Sequence, residues 1–223
     1  MRRDARDSRS RALYLERDVI SAESCLRIRA VMTESRADDA EVLDAAVVAD
    51  LDVRRAASID VDASTLREVE ARLDARADAL SAFFGIALGP REGAGFLRYG
   101  PGGFYKPHRD RGKSDAWPAA AERCVSVVLF LNSVGPGRGD LDGGALHLID
   151  TGVEIAPLAG QLVAFPSETL HEVMPVARGS RDVVVDWFYR GASGRSVIQS
   201  TTTPADGEAV RGTGRIARSR SLR

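Results

Sequence analysis

The stretch Gly95–Asp110 reads GFLRYGPGGFYKPHRD. Two short runs suited to strands, Gly95–Tyr99 and Phe104–Asp110, flank Gly100-Pro101-Gly102-Gly103, whose residues favour a turn. The same texture continues downstream in Cys124–Asn132, Ala145–Ile149, Gln161–Phe165, His171–Met174 and Arg181–Tyr189, with Gly and Pro between the runs. Short strands at this spacing predict an all-β sandwich or barrel and argue against alternating βαβ units.

Ahead of Gly89-Pro90 the pattern is different. Ala12–Ile20 alternates well enough for a first strand. Ser21 is placed to cap a helix whose apolar face holds Cys25, Leu26, Ile28, Val31 and Met32. A second helix, capped by Asp62 or Ser64, carries Leu66, Val69, Leu73, Ala77 and Leu80 at spacings of three and four up to Phe84, and Gly85 can stop it. A strand is expected within Asp52–Val61. The predicted fold is mainly β with N-terminal helices: a jelly roll braced on one face by those helices.

Composition narrows the function classes. With 223 residues, 44% hydrophobic and 28% charged, the chain reads as a globular protein with one sizeable core. It has no apolar run long enough for a membrane span, and no apolar stretch follows Arg2, Arg3 and Arg6, as a signal peptide would require. Cys25 and Cys124 are too few for a disulfide framework or a cysteine zinc site, so a reducing, cytoplasmic setting is expected. The formal charge of -1 hides ends of +3 (residues 1–11) and +4 (residues 191–223) on a body of -8. Solvated, disordered tails fit that pattern better than nucleic-acid contact, because a body of this charge repels phosphate.

The chemistry centres on three histidines. If Phe104–Asp110 is a strand, His108 and Asp110 point to one face, and an imidazole beside a carboxylate is two thirds of a facial triad for non-haem iron. His171 is the natural third ligand. His147 has no ligand partner at useful spacing and reads as a structural or surface residue. In RDVVVDWFY, alternation puts Arg181, Val183, Val185 and Trp187 on an inward face and Asp182 and Asp186 on the other. A buried guanidinium requires an anion, either a protein carboxylate or a ligand. Beside the His-x-Asp…His set, a bound dicarboxylate is the better reading. Trp187 and Trp117 read as packing residues. Arg111–Arg123 is long for a tight hairpin and reads equally as a substrate lid or an ordinary loop. Ser133–Gly144 is Gly-rich but precedes no helix, which argues against a phosphate cradle, and its Arg138-Gly139-Asp140 is read as coincidence. Arg98, Lys106, Arg109, Arg111 and Lys113 hint at an anionic substrate group.

From Phe96 to Tyr189 the sequence resembles the Fe(II)- and 2-oxoglutarate-dependent dioxygenases, in the prolyl 4-hydroxylase-like branch. The resemblance rests on the spacing of Tyr99, Gly102, Tyr105, His108 and Asp110, on VVLFLN at Val127–Asn132, on Gly143-Gly144-Ala145-Leu146, on His171–Pro175 and on Arg181–Tyr189. It implies a double-stranded β-helix core at about 93–190 within a domain of 12–190. It further implies Fe(II) held by His108, Asp110 and His171, and 2-oxoglutarate bound by Arg181 with a hydroxyl from Tyr99; ascorbate is a further cofactor associated with this branch. The implied reaction hydroxylates a C–H bond of a prolyl or other amino-acid residue, or of a free amino acid, with decarboxylation of 2-oxoglutarate to succinate. Phe130 departs from the pattern, since relatives often place there a tyrosine that helps hold the distal carboxylate. The alternatives are a small-molecule tailoring oxygenase and, in another class, a non-catalytic metal-binding jelly roll acting as a sensor. A sensor needs neither Arg181 nor Asp110.

Residues 1–11 and 195–223 offer no continuous apolar face. Their removal is expected to leave the melting temperature and metal binding unchanged, as differential scanning fluorimetry would show. A loss of many degrees would make a tail part of the fold.

Overall fold

The computed structural model describes residues 12–40, 42–43, 47–48, 50–112, 118–135 and 141–191. The tails 1–11 and 195–223, Lys113, Trp117 and Arg138-Gly139-Asp140 lie outside these residues, as do residues 113–117 of the segment read equally as a lid or an ordinary loop.

The chain opens with β1 (Tyr14–Glu16), α1 (Ala22–Glu34), β2 (Ala37–Asp39), β3 (Val42–Leu43) and β4 (Val47–Val48). Then come β5 (Arg54–Arg55), β6 (Ala57–Ile59), α2 (Ala63–Asp74), α3 (Ala77–Phe84) and β7 (Leu88–Arg91). The β-rich part follows with β8 (Gly95–Tyr99), β9 (Phe104–His108), a 3-10 turn at Pro118–Glu122 and β10 (Arg123–Phe130). It is completed by β11 (Asp142–Gly143), β12 (Leu146–Leu148), β13 (Val153–Ile155), β14 (Leu162–Pro166), β15 (His171–Val173), β16 (Val176–Arg178) and β17 (Arg181–Arg190).

Two antiparallel sheets face each other. The larger runs β1-β14-β10-β17-β8-β6-β2, with β7 also paired to β17, and the smaller runs β13-β12-β15-β9-β5. Between them lies one apolar cluster, in which Leu97, Phe130, Phe165 and Val183 of the larger sheet meet Leu146, Leu148 and Val173 of the smaller. A second cluster fills the space between the larger sheet and the helices, where Ile28, Met32, Val69, Leu73 and Leu80 meet Val125, Leu129, Leu162 and Phe188. All eight residues of β10 are buried, because the strand is covered by helices on one side and the smaller sheet on the other. This is the jelly roll, or double-stranded β-helix, braced by helices that the sequence predicts.

Local chemistry explains the helix ends. The Ser21 hydroxyl accepts from the Ser24 amide at 3.1 Å, and Asp62 Oδ1 accepts from Ser64 and Thr65 amides at 2.8 and 2.9 Å. Gly85 closes α3 with a φ of 67°. The single helix expected over 62–84 is instead two. The Arg76 amide bonds Leu73 O at 3.0 Å, a tightened turn, and the Arg76 side chain is drawn to Glu16 at 3.1 Å. The strand expected within 52–61 also divides, because the chain passes at buried Ala56 from the smaller sheet (β5) to the larger (β6).

Asp182 shows why the outer face of β17 tolerates acids. Its buried carboxylate takes Arg29 of α1 at 2.7 Å and Arg98 of β8 at 2.7 Å, so two guanidinium groups offset its desolvation and tie helix to sheet. Asp186 is likewise held by Arg91 and by the Gly93 amide at 3.0 Å. Arg98 is therefore committed to Asp182 on the helix side and is not part of a substrate-facing basic cluster.

Leu73→Ala removes a side chain only 1% exposed from the helix-facing core. It is expected to lower unfolding free energy by about 2–5 kcal/mol in urea titrations, with divalent-metal binding by the native protein unchanged.

Candidate metal and cosubstrate site

A cavity of about 430 Å³ opens between the two sheets, lined by His108, Asp110, His171, Arg181, Tyr99 and Trp187 among others. The pairing of β9 with β15 sets His171 opposite His108. The same ladder is irregular one step on, where Val173 meets Tyr105. Pro107 sits in that interval and has no amide hydrogen to give to a ladder.

Asp110 reaches the site differently from the sequence expectation. Strand β9 ends at His108, and Asp110 lies in the bend that follows. The bend is pinned by the Arg111 amide on Ser167 O at 2.9 Å and by Arg123 Nη1 on Asp110 O at 3.1 Å. Arg109, between the two site residues, points away to Asp150 at 2.9 Å and to Glu168 O. The convergence is as expected, but a turn rather than strand alternation produces it.

The three donor groups lie within 4.8 Å of one another. Asp110 Oδ1 is 3.7 Å from His108 Nε2, and Asp110 Oδ2 is 3.5 Å from His171 Nε2, longer than good hydrogen bonds. His108 Nδ1 lies 2.8 Å from Lys106 O and His171 Nδ1 lies 2.9 Å from Thr169 O. A carbonyl only accepts, so each Nδ1 carries the proton and each Nε2 lone pair is turned to the centre, as metal-binding histidines require. Burial, with the neighbouring His171 imidazole, pushes the His108 pKa down and keeps the ring neutral. For Asp110, burial opposes ionisation, but His171 and His108, helped by Ser126 and Trp187, outweigh it and hold the carboxyl below its ordinary range. Two neutral imidazoles and one carboxylate on one side of a gap could hold a divalent ion. Tyr105 stacks on His108 with centroids 3.5 Å apart, and Phe165 meets His171 edge-on at 4.7 Å.

Arg181 is buried, 1% exposed, and its Nε has no hydrogen-bond partner. Among the described residues no carboxylate lies within ion-pair distance of it. Its guanidinium carbon instead sits 5.0 Å from the Tyr99 ring and 5.2 Å from the Phe130 ring. Burial pushes its pKa down to about 10, with Arg54 adding to the effect and Tyr99 opposing it. A cation held in this way without an anion is an orphan that a carboxylate ligand would complete.

His147 lies on β12 and bonds Glu172 at 2.9 Å, apart from the donor set. Sequence reasoning missed three lining residues. Arg54 lies over the Tyr105 ring at 4.7 Å, and Arg123 is gripped by both oxygens of Glu92, with Nε to Oε2 at 2.6 Å. Arg123 also lies over Trp187 at 3.8 Å, so Trp187 is a wall of the cavity and not simply a packing residue. A β-bulge between Arg123 and Val125 breaks the alternation that could have placed Arg123 inward.

Mn(II) or Ni(II) is expected to raise the melting temperature of the wild type and of His147→Ala, and to leave that of His171→Ala unmoved. Equal loss of the shift in both variants would refute this donor set.

Residues 94–189 match the 2OG-Fe(II) oxygenase superfamily. A PKHD-type hydroxylase of Xanthomonas campestris is 34% identical over 142 residues, 59% of this chain and 59% of that protein. One from Sphingopyxis alaskensis is 37% identical over 93 residues, 41% of each. The chain thus spans only 41% to 59% of these relatives' own length. A Pseudomonas putida prolyl-4-hydroxylase structure superposes with a TM-score of 0.64 at 26% identity, covering 83% of this chain and 96% of that one. A Trichoplax adhaerens prolyl hydroxylase, in complex with a peptide fragment of hypoxia inducible factor, reaches 0.65 at 17% identity, covering 83% and 86%, and shows the fold alone. The segment that carries the donor set is thus similar to the 2OG-Fe(II) oxygenase superfamily, and the fold resembles that of a prolyl-4-hydroxylase.

Proposed function

We propose that this chain is an Fe(II)- and 2-oxoglutarate-dependent hydroxylase acting on a prolyl or other amino-acid residue, or on a free amino acid. The observation that carries the reading is Arg181, buried with no carboxylate among the described residues within ion-pair distance, in the cavity that also holds His108, Asp110 and His171. A donor set alone would serve a sensor as well; the orphan guanidinium asks for an anionic cosubstrate.

His108, Asp110 and His171 would hold Fe(II), and the donor chemistry fits that ion. The bound iron would supply the oxidising chemistry, in which 2-oxoglutarate is decarboxylated to succinate and a C–H bond gains a hydroxyl. The chain's own residues bind and orient. Arg181 offers a planar fork to both oxygens of the distal carboxylate, which a lysine could not match. Tyr99, buried beside it, would add its hydroxyl, whereas Phe130 has none to give. Tyr105 packs on the His108 ring, Phe165 meets the His171 ring and Trp187 lines the cavity, so aromatic carbon covers part of the donor set. The similarity to a Pseudomonas putida prolyl-4-hydroxylase, 26% identical, supports a prolyl residue as the first substrate to try.

The test is anaerobic loading with Fe(II) followed by air, 2-oxoglutarate and a panel of proline-containing peptides and free amino acids. Mass spectrometry should find a product heavier by one oxygen, with succinate formed. Calorimetric titration of 2-oxoglutarate into the Mn(II)-loaded protein should give weaker binding in Arg181→Lys and weaker still in Arg181→Leu. The full loss is expected to be about ten- to a hundred-fold, corresponding to ~1.5–3 kcal/mol for a charge-assisted bond. Phe130→Tyr is expected to tighten binding. Unchanged affinity in Arg181→Leu would overturn the reading.

A further inference from the structure

Two residues outside the donor set touch Arg181 or the backbone beside it. Strand β10 ends at Phe130 and β17 begins at Arg181, so the regular ladder is running out where the cosubstrate arginine sits. Asn132 extends it. Its side-chain Nδ2 donates to Ser180 O at 2.7 Å, and its Oδ1 accepts from the Asp182 amide at 3.0 Å. The carboxamide thus takes the place of a peptide group and grips the backbone on both sides of Arg181. The Leu131 amide, on Asp182 O at 2.9 Å, adds the neighbouring rung. Asn132 is itself 5% exposed, so these bonds compete little with water.

Gly144 acts on the stem of the same arginine. Its φ is +70°, and a Cβ there would fall 3.0 Å from Arg181 Cδ and 3.1 Å from Val176 Cγ2. The missing side chain is the space along which the arginine stem runs. With the backbone gripped by Asn132 and the stem laid against Gly144, the guanidinium is delivered between the Tyr99 and Phe130 rings. Its distance from the metal donors is then fixed, and a ligand spanning the two must have a matching length. Each carbon–carbon bond changes that length by roughly 1.5 Å at most, a displacement large enough to misplace a reacting group.

We propose that Asn132 and Gly144 are positioning residues for Arg181, and that together they set the chain length of the 2-oxo dicarboxylate the cavity takes. The inference rests on the hydroxylase reading above. Its test compares 2-oxoglutarate with 2-oxoadipate, one methylene longer, by calorimetry on the full-length Mn(II)-loaded protein, with Mn(II) affinity and melting temperature measured alongside. Wild type should prefer 2-oxoglutarate. Asn132→Ala should weaken 2-oxoglutarate about ten-fold and narrow the preference, with Mn(II) affinity unchanged. Gly144→Ala, which crowds the stem instead of loosening the backbone, should also move the ratio, and it tests the idea independently if Asn132→Ala does not fold. A lowered melting temperature with an unchanged ratio would mean a purely structural role and would overturn the proposal for that residue. If Arg181→Leu keeps wild-type affinity, the hydroxylase reading itself fails. If Arg181→Leu loses affinity while both other variants keep wild-type affinity and ratio, only the positioning proposal fails.

Discussion

Antiparallel pairing of β9 with β15 places His171 opposite His108 across the smaller sheet, and the rest of the site is arranged around that register. Side chains on a strand alternate, so a slip of one residue would send His171 to the opposite face and leave Asp110 with a single imidazole. Apolar packing holds the register. Leu148 pairs with His171 and Leu146 with Val173 from the other side, and both leucines are sealed in the core between the sheets. The convergence of the candidate donor set is thus a by-product of how the smaller sheet buries its apolar face.

Strand β17 carries the complementary burden, since it buries charge on both faces. On the helix side Asp182 and Asp186 are each answered by arginines from other elements, Arg29 and Arg98 for one and Arg91 for the other. On the cavity side Arg181 faces the Tyr99 and Phe130 rings, and among the described residues no carboxylate lies within ion-pair distance of it. The contrast is informative because the same strand shows what a satisfied buried charge looks like in this protein. Where the fold needs a charge for its own cohesion it supplies the partner, and at Arg181 the described residues supply no carboxylate. Among the described residues no helix is long and apolar enough to cross a membrane.

Arg123 links the two halves of the cavity. Glu92 grips it, it lies over Trp187, and it bonds the backbone carbonyl of Asp110. Side-chain exposure of the Glu92–Arg123 pair is 11% and 8%, low enough that removing one partner would strand the other with little water to solvate it. The bend that presents Asp110 is therefore held by a charged residue that itself forms a cavity wall.

Much was legible in the residues themselves. The short Gly- and Pro-separated runs determined a mainly β fold, the Ser21 and Asp62 caps determined where helices begin, and the His108, Asp110, His171 and Arg181 pattern pointed to residues that converge on one cavity. These features are local or periodic, and local chemistry suffices to read them. Tertiary structure decided what depends on partners distant in sequence. It broke the helix at Arg76, which is drawn to Glu16, and it split the 52–61 strand between two sheets at Ala56. It turned Arg98 away from the cavity toward Asp182 and brought Arg54, Glu92 and Arg123 into it through a bulge and a loop that no periodicity marks. A sequence states which residues prefer burial or charge, but only the packed chain decides which charges meet, because each pairing joins segments whose separation along the chain carries no signal of their contact.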